Sequence, residues 1–345
     1  MQHEVLKPLQ LLDSKGRIAE EGWARHPYWR YDRKSIKGGA LRVKEWDYYS
    51  ILSVDGRFGI TLTMSDLDYT GLFAVCFLDF EKRYVHQVDS LSVLPLGRTG
   101  FPPGSDDGQI CFGDDKLSLM FVSAGGLRTL SFRAPGIANA EGEQGLDGAV
   151  VLTQPPDLES INIATSWAEN RRAFYYNRKI NCMQASGGFS IGSRRYEFDP
   201  ARDFGALDWG RGRWTYKNRW YWSSASGHSG GVPFGWNLGY GFSDRSPATE
   251  NALFYRGTVH KLDDVVFHID EKDYAKPWRF SSSDGRFEMD FSPLVDRNST
   301  TKLGPIRSVQ HQVFGEFTGT AILDDGKNLK IKNFLGFAED VYNRW

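Results

Sequence analysis

An all-β chain in two antiparallel halves is what this sequence predicts, on three observations. Apolar runs are of strand length and are separated by turn residues about every 8–12 positions, the pattern of a sandwich or barrel. No stretch longer than about three turns carries the apolar stripe of an amphipathic helix. Asp55-Gly-Arg-Phe58 recurs as Asp284-Gly-Arg-Phe287, each copy opening a strand after one that carries a tryptophan, Trp46 and Trp278.

Taken in order, residues 1–40 are polar and irregular, yet they hold Trp23, Tyr28, Trp29 and Tyr31. These rings are too apolar for a solvated tail, so the segment is expected to pack onto the body. Strands follow at Leu41–Leu52, Phe58–Met64, Leu72–Phe80 and Tyr84–Val88, with Asp55-Gly56 turning the first hairpin. Residues 101–115 read as a loop rich in Pro, Gly and Asp, and 134–148 as a second loop. Between them Lys116–Val122 and Leu127–Arg133 flank the turn Ala124-Gly-Gly126. The strand pattern resumes at Ala173–Ile180 and Gly188–Phe198. Arg213–Tyr216 and Arg219–Ser224 are then joined by a turn at Lys217-Asn-Arg219. Further strands are expected at Phe234–Phe242, Ala252–Tyr255, Val265–Ile269 and Phe287–Phe291. Val309–Ala321 and Leu329–Phe337 close the chain around Asp324-Asp-Gly326. Ala201–Leu207 and Phe337–Tyr342 are the two candidate short helices. An even division of strands puts the boundary near residue 185: an N-terminal domain 1–185 with its arm, and a C-terminal domain 186–345 that carries the site.

The 345 residues are 40% hydrophobic and 25% charged, as in a globular protein. A formal net charge of −1 leaves no electrostatic footprint for nucleic acid. No 18-residue apolar run is present for a membrane-crossing helix, and Met1-Gln-His-Glu-Val-Leu lacks the apolar region of a signal peptide. Three cysteines, Cys76, Cys111 and Cys182, cannot all pair within the chain, so a reducing cytoplasm is expected. The oligomeric state is not legible.

Five of the 11 tryptophans, Trp209, Trp214, Trp220, Trp222 and Trp236, fall in one short stretch among charges and glycines. Aromatic rings beside a few placed polar groups describe a pocket wall as well as a core layer. Together with Tyr216 and Arg211 they are the expected ligand contacts. Asp208, wedged between Leu207 and Trp209, is a candidate general acid if an apolar setting raises its pKa. A salt bridge to Arg211 or Arg213 is the other reading. Glu250 is the second candidate acid, or else a strand-end carboxylate held by backbone amides. His311 is either a packing histidine or a proton carrier. Gly227-His-Ser-Gly-Gly231 matches a nucleophile elbow in letters only, because no helix follows it. The histidines show no zinc spacing, Gly239-Tyr-Gly241 lacks a third glycine and a helix, and no phosphate-binding loop occurs, so neither metal nor cofactor is expected.

Several longer motifs carry a resemblance. They include Asn181-Cys-Met-Gln-Ala-Ser-Gly187, Leu207-Asp-Trp-Gly-Arg-Gly212, Trp220-Tyr-Trp-Ser-Ser-Ala-Ser-Gly227, Asn237-Leu-Gly-Tyr-Gly-Phe242, Thr249-Glu-Asn-Ala-Leu-Phe-Tyr255 and His311-Gln-Val-Phe-Gly315. With them the chain resembles, over nearly its whole length, the bacterial domain-of-unknown-function family 2804. The motifs place Asn237 and His311 beside the expected ligand contacts. More remotely, architecture and Gly336-Phe-Ala-Glu339 make it similar to the tandem-lipocalin group of carotenoid hydratase-like proteins. That likeness implies two antiparallel calycin-like barrels or strongly curved sheets in tandem, with a lipophilic or terpenoid small molecule in or between them. Acid-catalysed hydration or isomerisation is the chemistry it implies. A carrier without chemistry and a carbohydrate-active β protein are the alternatives.

Overall fold

Each Asp-Gly pair turns the hairpin its sequence predicts. Asp55-Gly56 joins Val43–Ser53 to Phe58–Asp66, and Asp284-Gly285 joins Trp278–Ser282 to the strand that begins at Phe287. The computed structural model describes residues 2–39, 41–304 and 306–344. Among them the only helix is the 3₁₀ turn Arg33–Ser35, and no helix is long and apolar enough to cross a membrane. The architecture is two curled antiparallel sheets, of 13 and nine strands, forming half-barrels in tandem.

Neither segment expected to be a short helix forms one. Residues 201–207 run into Phe204–Arg213, and 337–342 lie inside Asn328–Arg344. Each is paired on both edges, so ladder hydrogen bonds and burial override a weak local helical preference. The loop expected at 134–148 shrinks to a short connection between Leu127–Ala138 and Gln144–Thr153. No turn forms at Lys217-Asn-Arg219, which opens the strand Lys217–Ser229. The chain passes from the first sheet to the second at residues 214–216, whereas residue 185 lies within the 22-residue strand Asn170–Ile191. No change of composition marks this passage, because only three residues join one strand to the next.

Side chains alternate across each strand, and this separates three apolar layers. Leu207 and Trp209, with Tyr49, Tyr176 and Phe189, fill the first half-barrel. Trp236, Phe280, Phe287 and Phe317 fill the second. The outer faces of the two sheets meet in a third layer, where Tyr48, Leu52, Cys76 and Phe80 pack on Trp222, Phe314, Leu335 and Phe337. Asn181 fastens this layer, donating to Ser224 Oγ at 2.8 Å and to the Trp236 carbonyl at 3.0 Å. Its neighbour Cys182 sits at a left-handed φ of 60°, in the irregularity between Ile180 and Met183 that turns the strand toward the second sheet.

The N-terminal arm packs as its rings require. Trp23 pairs with the strand Ile161–Trp167, Trp29 and Tyr31 are buried in the first core, and Gln2 accepts from the Thr249 amide at 2.7 Å. Deleting residues 2–33 is expected to lower the melting temperature by several degrees, since each buried ring contributes ~1.5–3 kcal/mol. A thermal scan that matches the full chain would contradict this.

Candidate functional site

The layer between the sheets is where the chemistry collects. Asp208 stands on the outer face of Phe204–Arg213, directly across from Lys179 on the neighbouring strand. Lys179 Nζ lies 2.8 Å from Asp208 Oδ2, 3.9 Å from Glu250 Oε2, and 4.0 Å above the Trp222 ring. Asn177 Nδ2 donates to the other Asp208 oxygen at 2.5 Å. Asp208 is therefore the ion-pair partner of Lys179 rather than of Arg211 or Arg213, because Arg211 points into the first half-barrel from the opposite face. All three charged groups are buried.

Glu250 closes the second side of Lys179. The Tyr175 hydroxyl and Asn237 Nδ2 each approach its Oε2 at 3.4 Å, and Asn237 Nδ2 also donates to the Glu250 carbonyl at 2.9 Å. Asn237 is itself oriented by Trp222 Nε1, which donates to its Oδ1 at 2.7 Å. Burial raises the Glu250 carboxyl above its usual range; nearby Lys179 opposes the rise and Asp208 adds to it. Gly239 is required at this point, since a Cβ there would run into the Glu250 carboxyl. The same holds for Gly210, over which the Trp46 ring lies.

A third carboxylate completes the layer. Glu339 accepts from Trp220 Nε1 at 2.9 Å and from Gln312 Nε2 at 3.2 Å, and Gln312 Oε1 accepts from Arg297 at 2.7 Å and the Tyr48 hydroxyl at 3.3 Å. Burial pushes Glu339 up to about 7, against the lowering pull of the Trp220 N–H and of Lys179. In the unfolded chain the group titrates near 4.5. Because the folded state holds the proton more tightly, this group's stabilisation is complete below about pH 4.5 and declines as pH rises to about 7. Glu339→Gln is expected to remove that decline, worth ~3 kcal/mol at most. Urea unfolding near pH 5 and near pH 8 checks it; equal pH slopes in both proteins would contradict it.

Around these groups stand Trp46, Tyr175, Trp214, Trp220 and Phe242, with ring centroids 4.7–6.2 Å apart. A narrow crevice lined by Ile163, Thr165, Tyr175, Gly239, Phe242 and Glu250 leads in past Ser243 and Arg245, with room for about one water.

Of the residues expected from sequence, Asp208, Glu250, Trp214, Trp220, Trp222 and Asn237 are brought together here. The others are not. Trp209 and Arg211 lie inside the first half-barrel, and Trp236 in the second core. Tyr216 is 57% exposed beneath Arg42. His311 Nδ1 donates to Asp296 Oδ2 at 2.9 Å, and the ring stacks on Tyr274. The four indoles expected to line one cavity, Trp209, Trp214, Trp220 and Trp236, thus belong to three different layers, because strand alternation sends neighbours in sequence to opposite faces. Sequence reasoning missed Lys179, Tyr175, Glu339, Gln312 and Trp46. A signal existed for two of them: Lys179 interrupts an apolar strand, and Glu339 follows Phe337-Ala338 within a motif already singled out.

The fold is shared with solved structures at low identity. CghA, solved with Sch210972, superposes with a TM-score of 0.55 at 12% identity, over 88% of this chain and 89% of its own. A putative AttH from Nitrosomonas europaea does so at 0.55 and 13% identity, over 92% and 98%. Kievitone hydratase from Nectria haematococca reaches 0.49 at 12% identity, over 91% and 93%. Likeness at this identity is a likeness of fold. No curated protein matches in sequence. The family model described as Domain of unknown function (DUF2804) matches residues 2–345, and the chain belongs to that family.

Proposed function

We propose that the layer between the sheets binds a small, largely apolar molecule and that Glu250 transfers a proton to it. The observation that carries this reading is the position of Glu250: a buried carboxyl, raised above its usual range, in a crevice that it lines together with Tyr175, Tyr240 and Phe242. A carboxyl whose pKa burial raises is better suited than an exposed one to donate a proton to an alkene or a carbonyl. Lys179 and Asp208 set the field at Glu250 with opposite signs, Lys179 lowering and Asp208 raising its carboxyl. The faces of Trp46, Trp214 and Trp220 are suited to a developing carbocation. Hydration or isomerisation of an unsaturated lipophile fits these parts. The carbohydrate reading fits less well, since Lys179 stands between Asp208 and Glu250 where a sugar ring and its water would have to enter.

The crevice admits a ligand only if the rings at its mouth swing aside. Nile red, a neutral lipophilic probe, is therefore expected to bind saturably and to quench tryptophan emission. Phe242→Ala, which removes a ring at the mouth, should change the affinity severalfold, whereas Val266→Ala on the outer surface should leave it unchanged. Equal affinity in all three proteins would sink the assignment.

A further inference from the structure

We propose that the first half-barrel holds a second ligand site: an oxyanion cradle of Arg128, Arg178 and Arg211 for the carboxylate of a small planar acid. The three come from different strands, Leu127–Ala138, Asn170–Ile191 and Phe204–Arg213, and each points to the same side as the core residues Leu130, Tyr176 and Trp209. They are 3%, 3% and 0% exposed. All three reach one segment, residues 101–107. Arg128 donates to the Ser105 carbonyl at 2.6 Å, Arg178 to Ser105 Oγ at 2.7 Å and to Asp106 at 2.5 Å, and Arg211 to the Pro102 carbonyl at 3.2 Å. The Arg211 guanidinium lies between the rings of Trp209, at 4.1 Å, and Phe101, at 4.8 Å.

Asp47, 3.0 Å from Arg211, and Glu45, which the Arg211 charge also attracts, are the buried carboxylates beside the triad, and Asp106 has a side chain 55% exposed. Glu45, next along the same face, also accepts from the Tyr31 hydroxyl at 2.9 Å and pairs with Arg33. Donors are left over: Arg128 Nε, Arg211 Nε and Trp209 Nε1 are buried without a hydrogen-bond partner. Leaving such donors unmet is costly, and an entering carboxylate would meet them. Part of the present acceptor set is two peptide carbonyls, one hydroxyl and a half-solvated carboxylate, all on a segment outside any strand whose residues Pro103, Gly104, Asp106 and Asp107 face solvent. The segment is a lid, and Asp106 occupies the place of the ligand's carboxylate. Three guanidinium forks favour a planar, bidentate anion, and the Trp209 and Phe101 faces favour one attached to a flat ring.

Titration calorimetry of the full chain with benzoate tests this, with phosphate as the comparison anion. Saturable benzoate binding is expected. Asp106→Asn, which takes from Arg178 its counter-charge and whose folding circular dichroism would check, should tighten it about two- to fivefold, the equivalent of one exposed ion pair removed from competition. Arg178→Met should abolish it. Absence of saturable benzoate binding in both the parent chain and the Asp106→Asn variant would overturn the proposal. So would benzoate binding indifferent to Asp106, and phosphate binding more tightly than benzoate would overturn the planar acid.

Discussion

Replacing Lys179 with Met is expected to cost ~3–5 kcal/mol of folding stability, among the largest losses any single change outside the cores would cause. Lys179 has a side chain 4% exposed and holds two buried carboxylates, Asp208 at 2.8 Å and Glu250 at 3.9 Å. Met fills a similar volume and keeps the contact with the Trp222 face, so packing changes little. What is lost is the only cation within ion-pair distance of Asp208 among the described residues. A carboxylate left buried without a counter-charge destabilises far more than the pair itself ever contributed. Adding Asp208→Asn to Lys179→Met should therefore recover much of the loss, because the orphaned charge is gone. Urea unfolding read by tryptophan emission gives both numbers. A loss below about 1 kcal/mol for Lys179→Met, the scale of an exposed ion pair, would contradict the buried cluster.

Trp236→Ala is expected to be as damaging, at ~3–5 kcal/mol, for an apolar reason. The indole is fully buried at the centre of the second core, against Phe234, Phe287, Phe317 and Phe334, with Nε1 donating to Ser223 Oγ at 3.1 Å. Removing it opens a large void lined by rings that cannot collapse together and leaves the strand backbone unsupported. Trp46→Ala makes the contrast. That ring is half-buried over Gly210 at the edge of the layer between the sheets, and its loss should cost about 1–2 kcal/mol, the transfer term without a closed cavity. Melting curves of the two variants check the ranking. Equal losses would mean that Trp46 is core as much as Trp236 is.

The fold class and the hairpins were readable because their signals are local: an Asp-Gly pair turns a chain whatever surrounds it, and strand-length apolar runs report burial on sheets. The site was readable only in part. Asp208 stood out as a carboxylate between apolar neighbours and Glu250 as one just before an apolar strand, and Lys179 lies within reach of both. The tryptophans misled because composition along a stretch does not say which face a residue takes. Trp209 and Asp208 are adjacent in sequence and lie on opposite sides of one sheet. The crossover at 214–216 left no mark, since Trp214-Thr-Tyr216 joins two strands with neither proline nor glycine. Glu339 and Gln312 join the site from the last two strands through register alone, which no local pattern encodes.

Proton transfer at Glu250 is the centre of this account, and deuterium incorporation from heavy water tests it most directly. Unsaturated terpenoids and other unsaturated lipophiles would be incubated with the parent chain and with Glu250→Gln, and their mass increase followed by mass spectrometry. Gln keeps the side chain's shape and its contact with Asn237 but has no proton of this acidity to give, so Nile red binding and melting temperature should stay close to those of the parent. The account predicts deuterium in at least one compound with the parent chain and a loss of at least about 100-fold in its rate with Glu250→Gln, the usual contribution of a general acid. Equal rates in the two proteins, or no incorporation into any compound by the parent chain, would contradict it.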